Sequence, residues 1–243
     1  MKICAVIPAA GLGSRLNLPV PRLLAPISGT RTLWHGLREK LTLVDHIHVV
    51  ASPSGAPALG EALKADLDSG FVSMSIQPKP IGMGDAIFQG RSVWSTATII
   101  LVVWGDQAFV SQDTLARSLA LHQGASKTVV LPLVKMHTPY VEYLFDGNGR
   151  LSNIKQSREQ EICKTGGWSD VGTFVLSVPD LQLAWQDYLH IAQPGHATQE
   201  WNFLPFLPYL SRAGWTIDRL EVEDSIEARG INTPEDLRFI REI

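Results

Sequence analysis

Long apolar runs set the limits on what this chain can become. ICAVIPAA (3–10), HIHVVAS (46–52), FVSMSIQ (71–77), TIILVVW (98–104) and KTVVLPLV (127–134) read as strands. Several, the fourth above all, are too uniformly apolar to keep a face in water, which is the pattern of strands covered on both faces of a parallel sheet. Helical patterns separate them. Leu33, Leu37 and Leu41 recur at every fourth position, the stretch from Asp85 to Trp94 lacks proline, and Ser111 can cap a helix to Gln123 that turns Leu115 and Leu119 inward. The β-α-β order predicts an α/β fold with a Rossmann-like, doubly wound, mainly parallel mixed sheet.

After Pro139 the texture changes. YVEYLF (140–145), the turn DGNG (146–149) and RLSNIKQ (150–156) alternate as a hairpin does, because Asp-Gly and Asn-Gly supply positive φ cheaply. A strand at 170–177, helical stretches around 180–190 and 199–213, a strand at 216–223 and a last helix follow. Thr233-Pro234-Glu235-Asp236 opens that helix with a capping threonine, a proline at the first helical position and a carboxylate three residues after the cap. With no linker or repeat in view, residues 1–243 read as a single domain.

Composition excludes some partners. A net charge of -3 gives no general attraction to a polyanion, so any phosphate must be held locally and nucleic acid is not expected as a partner. Cys4 and Cys163 are too few for a disulfide framework, and no apolar run approaches the roughly 18 residues of a membrane span, which reads as a cytoplasmic chain acting on small molecules without a membrane. Oligomeric state is not legible.

The end of the first strand carries the chemistry. In PAAGLGSRLNLPVPRLL (8–24), Gly11 and Gly13 let the backbone turn sharply, so that several amide N–H groups can face one anion, and Arg15 and Arg22 add forked positive charge suited to a polyphosphate. A dinucleotide fingerprint needs Gly or Ala where Leu16 stands, and the Gly-Lys-Ser/Thr of a P-loop is absent. QPKPIGMGDA (77–86) places Gln77 and a second glycine turn, Gly82-Met83-Gly84, where a base edge could be read. Within LVVWGDQAFV (101–110) the most apolar strand ends with Gly105-Asp106, a carboxylate at a strand's carboxyl end and a natural Mg²⁺ ligand, although a turn aspartate capping the next residues would look the same. His46 and His48 read as strand residues rather than metal ligands.

Pro8 through Arg15, Pro21-Arg22-Leu23-Leu24, Gln77 through Ala86, Gly105-Asp106 and Glu227-Ala228-Arg229-Gly230-Ile231-Asn232-Thr233 stand in an order and rough spacing that resembles the sugar-phosphate nucleotidyltransferases. The likeness is to the uridylyltransferase domains that make UDP-N-acetylglucosamine, and it covers nearly the whole chain. It implies a nucleotide-diphospho-sugar transferase fold with 1–135 as a nucleotide-binding half, 136–243 as an acceptor-binding half and an inserted β-hairpin region on the acceptor side. It further implies that Ala10, Gly11, Leu12, Gly13 and Ser14 bracket the triphosphate, with Arg15 and Arg22 as catalytic cations. Gln77, Gly82, Met83, Trp104 and Gly105 would hold a pyrimidine nucleotide, and Asp106 and Asn232 would share one Mg²⁺. The reaction implied is attack of an acceptor phosphate on the α-phosphorus of UTP or CTP with loss of pyrophosphate.

Departures concern the acceptor. Arg22 stands where the family has lysine, Lys155 precedes Gln156 where it has glutamate, Asp170-Val171-Gly172 replaces Asn-Thr-Gly, and Tyr140 replaces a glycine. These changes argue against N-acetylglucosamine 1-phosphate. Lys155 would suit an extra anionic group and Asp170 hydroxyls or an amine, which admits a phosphonate, a phosphorylated polyol or amino acid, or an unusual sugar phosphate. Glu200 of the aromatic segment QEWNFLPFLPYL (199–210), which serves as core or as lid, would complete the acceptor side. The chain ends soon after the helix that follows Asn232, so no acetyltransferase repeat domain is expected. A glycosyltransferase of related architecture, or a nucleotide-binding regulator without catalysis, stays open; the former normally shows Asp-x-Asp at a strand end, whereas Asp66-Leu67-Asp68 sits in an expected helix or turn.

Overall fold

A computed structural model describes residues 1–11, 16 and 18–242. The apolar runs become β1 (Ile3–Ala9), β4 (His46–Ala51), β5 (Val72–Ile76), β6 (Ile99–Val103) and β7 (Thr128–Met136), while β2 (Pro26–Ser28) and β3 (Arg31–Thr32) form a small separate ribbon. β5, β4, β1 and β6 pair side by side in parallel. Every residue of β6 is buried. Its side chains alternate between two cores: Ile99, Leu101 and Val103 face one layer, Ile100 and Val102 the other. That period of two, with apolar residues on both sides, is why the sheet carries helices on both faces.

The first core packs α1 (Leu33–Lys40), α2 (Ala56–Ala62), α3 (Lys64–Asp68) and α6 (Gln112–His122) against the sheet. The second holds α4 (Met83–Gln89), α5 (Arg91–Trp94), α7 (Leu181–Leu189) and α8 (Phe206–Arg212). Its centre is aromatic: Phe88 stacks on Trp185 at 4.5 Å between ring centroids, and Phe206 meets Trp185 edge-on at 5.1 Å. Phe203 and Phe206 are thus core residues, while Trp201 uses its backbone elsewhere. The last helix, α9 (Pro234–Glu242), begins as its sequence predicts: Thr233 Oγ1 accepts from the Asp236 N–H, and an Asp236 carboxylate oxygen accepts from the Thr233 N–H.

The second half of the sheet is antiparallel. β8 (Val141–Phe145) and β9 (Leu151–Gln156) form the expected hairpin around Asp146–Gly149. The single strand expected at 170–177 is two, β10 (Gly167–Asp170) and β11 (Thr173–Ser177), because Gly172 turns at φ +72° and sends the chain from a pairing with β7 and β8 to one with β6 and β7. A Cβ at Gly172 would also collide with the Gln107 side chain. The helix expected over 199–213 starts only at Phe206, after Pro205, leaving the segment before it as a loop over the sheet. The helical stretch at 85–94 is two short helices broken at Gly90. β12 (Thr216–Glu221) closes the sheet in parallel with β7.

Candidate active site

Parallel strands end on the same edge, and their carboxyl-terminal loops therefore meet. Here the ends of β1 and β6 bring Gly11 and the Trp104-Gly105-Asp106 turn together on a cavity of about 610 Å³, and Gln77, which follows β5, shares an adjoining pocket with Gly11. Gly105 lets this turn press on β1; a Cβ there would lie 3.2 Å from the Pro8 carbonyl. Leu12, Gly13, Ser14 and Arg15 lie outside the described residues.

Asn232, remote in sequence, is delivered to Asp106 by backbone pairing. Ile231 N–H donates to the Asp106 carbonyl at 2.8 Å, and Gln107 and Gly230 form an antiparallel bridge. Asp236 accepts from the Asn232 N–H at 3.0 Å, fixing the residue at the start of α9. Buried Glu227 ties the same segment to α6 by accepting from Ser111 N–H and Thr114 Oγ1. Gly230 sits close enough that a Cβ would lie 2.9 Å from Asn232 Nδ2 and 3.2 Å from Asp106 Oδ2.

Arg22 completes this corner. It enters from the short 3-10 turn Arg22–Leu24, whose buried Leu23 anchors it, and its Nη1 donates to Asp106 Oδ2 at 2.8 Å and to Asn232 Oδ1 at 3.3 Å. One cationic nitrogen therefore sits between a carboxylate oxygen and an amide oxygen. Two hard oxygens turned toward a common positive charge suit Mg²⁺, which takes few protein ligands and fills its shell with water and phosphate oxygens. Among the described residues no cluster of three or more His, Cys, Asp or Glu could hold a metal by itself. His46 and His48 lie on β4 and contact the hydroxyls of Ser73 and Ser75, at 2.7 to 2.9 Å.

A smaller pocket of about 60 Å³ opens beside the main cavity, walled by Ala10, Gly11, Gln77, Gly82, Met83 and Glu200 among others. Gly82 adopts φ +132°, and a Cβ there would lie 2.5 Å from the Trp201 carbonyl oxygen. The glycine turn and the 199–203 loop are hydrogen-bonded to each other, Trp201 N–H to the Ile81 carbonyl at 2.6 Å and Gly84 N–H to the Trp201 carbonyl at 3.0 Å. Glu200 consequently borders both cavities.

On the far side of the main cavity stand Tyr140, Gln156, Arg158, Asp170 and Glu200. Asp170 is buried; desolvation pushes its carboxyl up to about 6, against hydrogen bonds from Gly172 N–H and Tyr143 Oη, with the Asp106 charge adding to the rise. Lys155 requires a correction. It is absent from the cavity wall, and its Nζ donates to the Ile162 carbonyl at 3.2 Å. Neighbouring strand residues point to opposite faces, so it is Gln156 that faces the cavity.

Sequence reasoning missed the cation that does stand there. Arg158 follows β9 and is paired with Glu200 and, at 3.8 Å, with Glu159. Glu159 is the clasp of the region: burial alone would raise its carboxyl, but donors from Thr198, Ala197 and Asn202 outweigh that and hold it down at about 2. Gln107 and Gln156, also on the cavity wall, each keep a buried side-chain oxygen without a partner among the described residues. No local motif marks these residues; the signal was only a run of polar side chains in SREQE after a strand. Asp66 of the Asp-x-Asp pair lies on α3, bound to Arg38 and Trp34, and is not on the cavity wall.

Residues 5–164 match the MobA-like NTP transferase domain. The bifunctional protein GlmU of Pseudomonas putida is 28% identical over 237 residues, and that of Azotobacter vinelandii 30% identical over 240; each alignment covers 96% of this chain and 49% of the relative. The chain spans about half the length of these curated relatives. A solved structure from Bacillus anthracis, assigned as a glucose-1-phosphate thymidylyltransferase and bound to sucrose, superposes with a TM-score of 0.76 over 99% of this chain and 94% of that one at 14% identity, which speaks to the fold. With Gly11, Asp106 and Asn232 gathered on one cavity of an α/β nucleotide-diphospho-sugar transferase fold, and with the domain match over most of its length, the chain belongs to the MobA-like NTP transferase family.

Proposed function

We propose that the chain transfers a pyrimidine nucleoside monophosphate from UTP or CTP to a phosphate or phosphonate oxygen of a small acceptor. That oxygen attacks the α-phosphorus in line, the bond to the bridging oxygen of the β-phosphate breaks, and pyrophosphate leaves. The observation that carries the reading is the meeting of Arg22, Asp106 and Asn232 within hydrogen-bond distance at the cavity mouth.

Arg22 neutralises charge on the transferring group through its planar fork, and Arg15 is assigned to the leaving pyrophosphate. Ala10 through Ser14 are assigned to the triphosphate, and Trp104 and Gly105 to the nucleotide beside it. Asp106 and Asn232 would hold Mg²⁺, which supplies positive charge to the phosphate oxygens of both substrates when bound. No covalent intermediate is needed, since positioning and charge neutralisation carry such a transfer.

The acceptor side is read from Tyr140, Gln156, Arg158, Asp170 and Glu200. Arg158 takes over the anion-binding part given to Lys155 from the sequence. Asp170 and the unpartnered Gln156 oxygen ask for hydroxyl or amine donors, so the acceptor is read as an anion that also carries such a group.

Pyrophosphate release tests the proposal. Full-length protein with Mg²⁺, UTP or CTP and a panel of sugar phosphates, polyol phosphates and aminoalkyl phosphonates is expected to release pyrophosphate with one donor and one acceptor class. A nucleoside diphosphate as product would indicate glycosyl transfer instead, and binding without any product a regulator.

A further inference from the structure

Gln77 follows β5 and is 2% exposed, yet it lines the small pocket. Its Nε2 donates to the Gly82 carbonyl at 3.1 Å and to Asp85 Oδ2 at 2.7 Å. Both partners only accept, so the amide can be oriented in just one sense: nitrogen toward Gly82 and Asp85, oxygen away from them. Two donors meet two acceptors and the nitrogen is used up. The oxygen accepts no hydrogen bond from any described residue, and Glu200, the other polar side chain among the described residues that border this pocket, is again an acceptor.

We infer that Asp85, by fixing the Gln77 amide, turns an acceptor oxygen toward the base and so selects cytosine over uracil. The inference rests on the nucleotidyl-transfer reading above and narrows its donor to CTP. Cytosine presents an exocyclic amino group at the corner where uracil presents a carbonyl oxygen. Facing Gln77 Oε1, the amino group makes a hydrogen bond; the uracil oxygen faces another oxygen, and both lose their water without a partner. Asp85 is a positioning residue, since it reaches the base only through Gln77.

The experiment is binding, not turnover: calorimetric titration of the full chain with CTP, UTP and ATP in the presence of Mg²⁺. CTP is expected to bind at least tenfold more tightly than UTP. Gln77→Leu, which removes the oxygen, should bring the ratio near one, and Asp85→Ala, which frees the amide to turn, should reduce it severalfold; unliganded melting curves confirm that both variants are folded. UTP or ATP binding as well as CTP, or a CTP preference that survives Gln77→Leu, overturns the inference alone. Failure of every nucleotide to bind overturns both this and the proposed function, whereas selective CTP binding without pyrophosphate release leaves the inference standing and removes the transferase reading.

Discussion

The two halves of the molecule build their parts of the cavity in different ways. In the first, β1, β5 and β6 run parallel, so their carboxyl ends deliver Gly11, Gln77 and Asp106 to one edge by topology alone. In the second, antiparallel β7, β8, β10 and β11 give no such common edge. The wall there is assembled from loops, held by side chains such as Glu159, which joins the turn after β9 to the loop before α8. A parallel sheet fixes a site through backbone geometry; a loop wall depends on individual hydrogen bonds. The first should tolerate loss of a peripheral contact better than the second.

Substitutions sharpen the contrast, beginning with the strongest. Asp106→Ala should lower kcat/KM about a thousandfold with little change in melting temperature, since it removes charge at the point where phosphate charge is handled. Steady-state pyrophosphate assays check it. Arg22→Ala should cost about a hundredfold, mostly in kcat, and Arg22→Lys less, because a compact ammonium keeps the charge that Nη1 places between Asp106 and Asn232 but loses the remaining guanidinium donors.

Glu159→Ala probes the loop wall. Losing the acceptor of Thr198, Ala197 and Asn202 donors should cost about 1–3 kcal/mol and raise the acceptor KM about tenfold, with the nucleotide KM unchanged. Equal effects on both substrates would break the division into halves.

Asp170 gives a pH signature. Burial raises its carboxyl from 3.8 to about 6 in the folded chain. The folded state therefore holds the proton more tightly than the unfolded one. The resulting stability is complete below about pH 4 and lost as pH rises through about 6. Asp170→Asn should raise the melting temperature relative to wild type more at pH 8 than at pH 5; a difference independent of pH would place the carboxylate in a wetter environment. Smallest of all, Lys155→Glu should change the acceptor KM less than about twofold, its neighbour Gln156 being the residue on the cavity wall.

The same contrast explains what could be read from the sequence. Uniformly apolar runs announced the buried parallel strands, and glycine turns placed directly after them announced residues of the strand-end edge, because in that half the spacing along the chain is also the spacing in space. Arg158, Glu159 and Thr198 were not legible: their meeting depends on a loop before α8 folding back some 40 positions to the turn after β9. Lys155 shows the sharpest limit, for in a strand a single step along the chain exchanges the two faces. Asp85 was hidden for another reason; as a helical residue near a glycine turn it looks like an ordinary first-turn carboxylate until Gln77 is seen bound to it.

Asp106 and Asn232, as one cation site working with a bound nucleotide, should be visible by electron paramagnetic resonance of Mn²⁺. One tightly bound Mn²⁺ per chain is expected when CTP or UTP is present, with loss of that binding in both Asp106→Ala and Asn232→Ala. Nucleotide-dependent Mn²⁺ binding that persists unchanged in the two variants would show that the cation is held elsewhere.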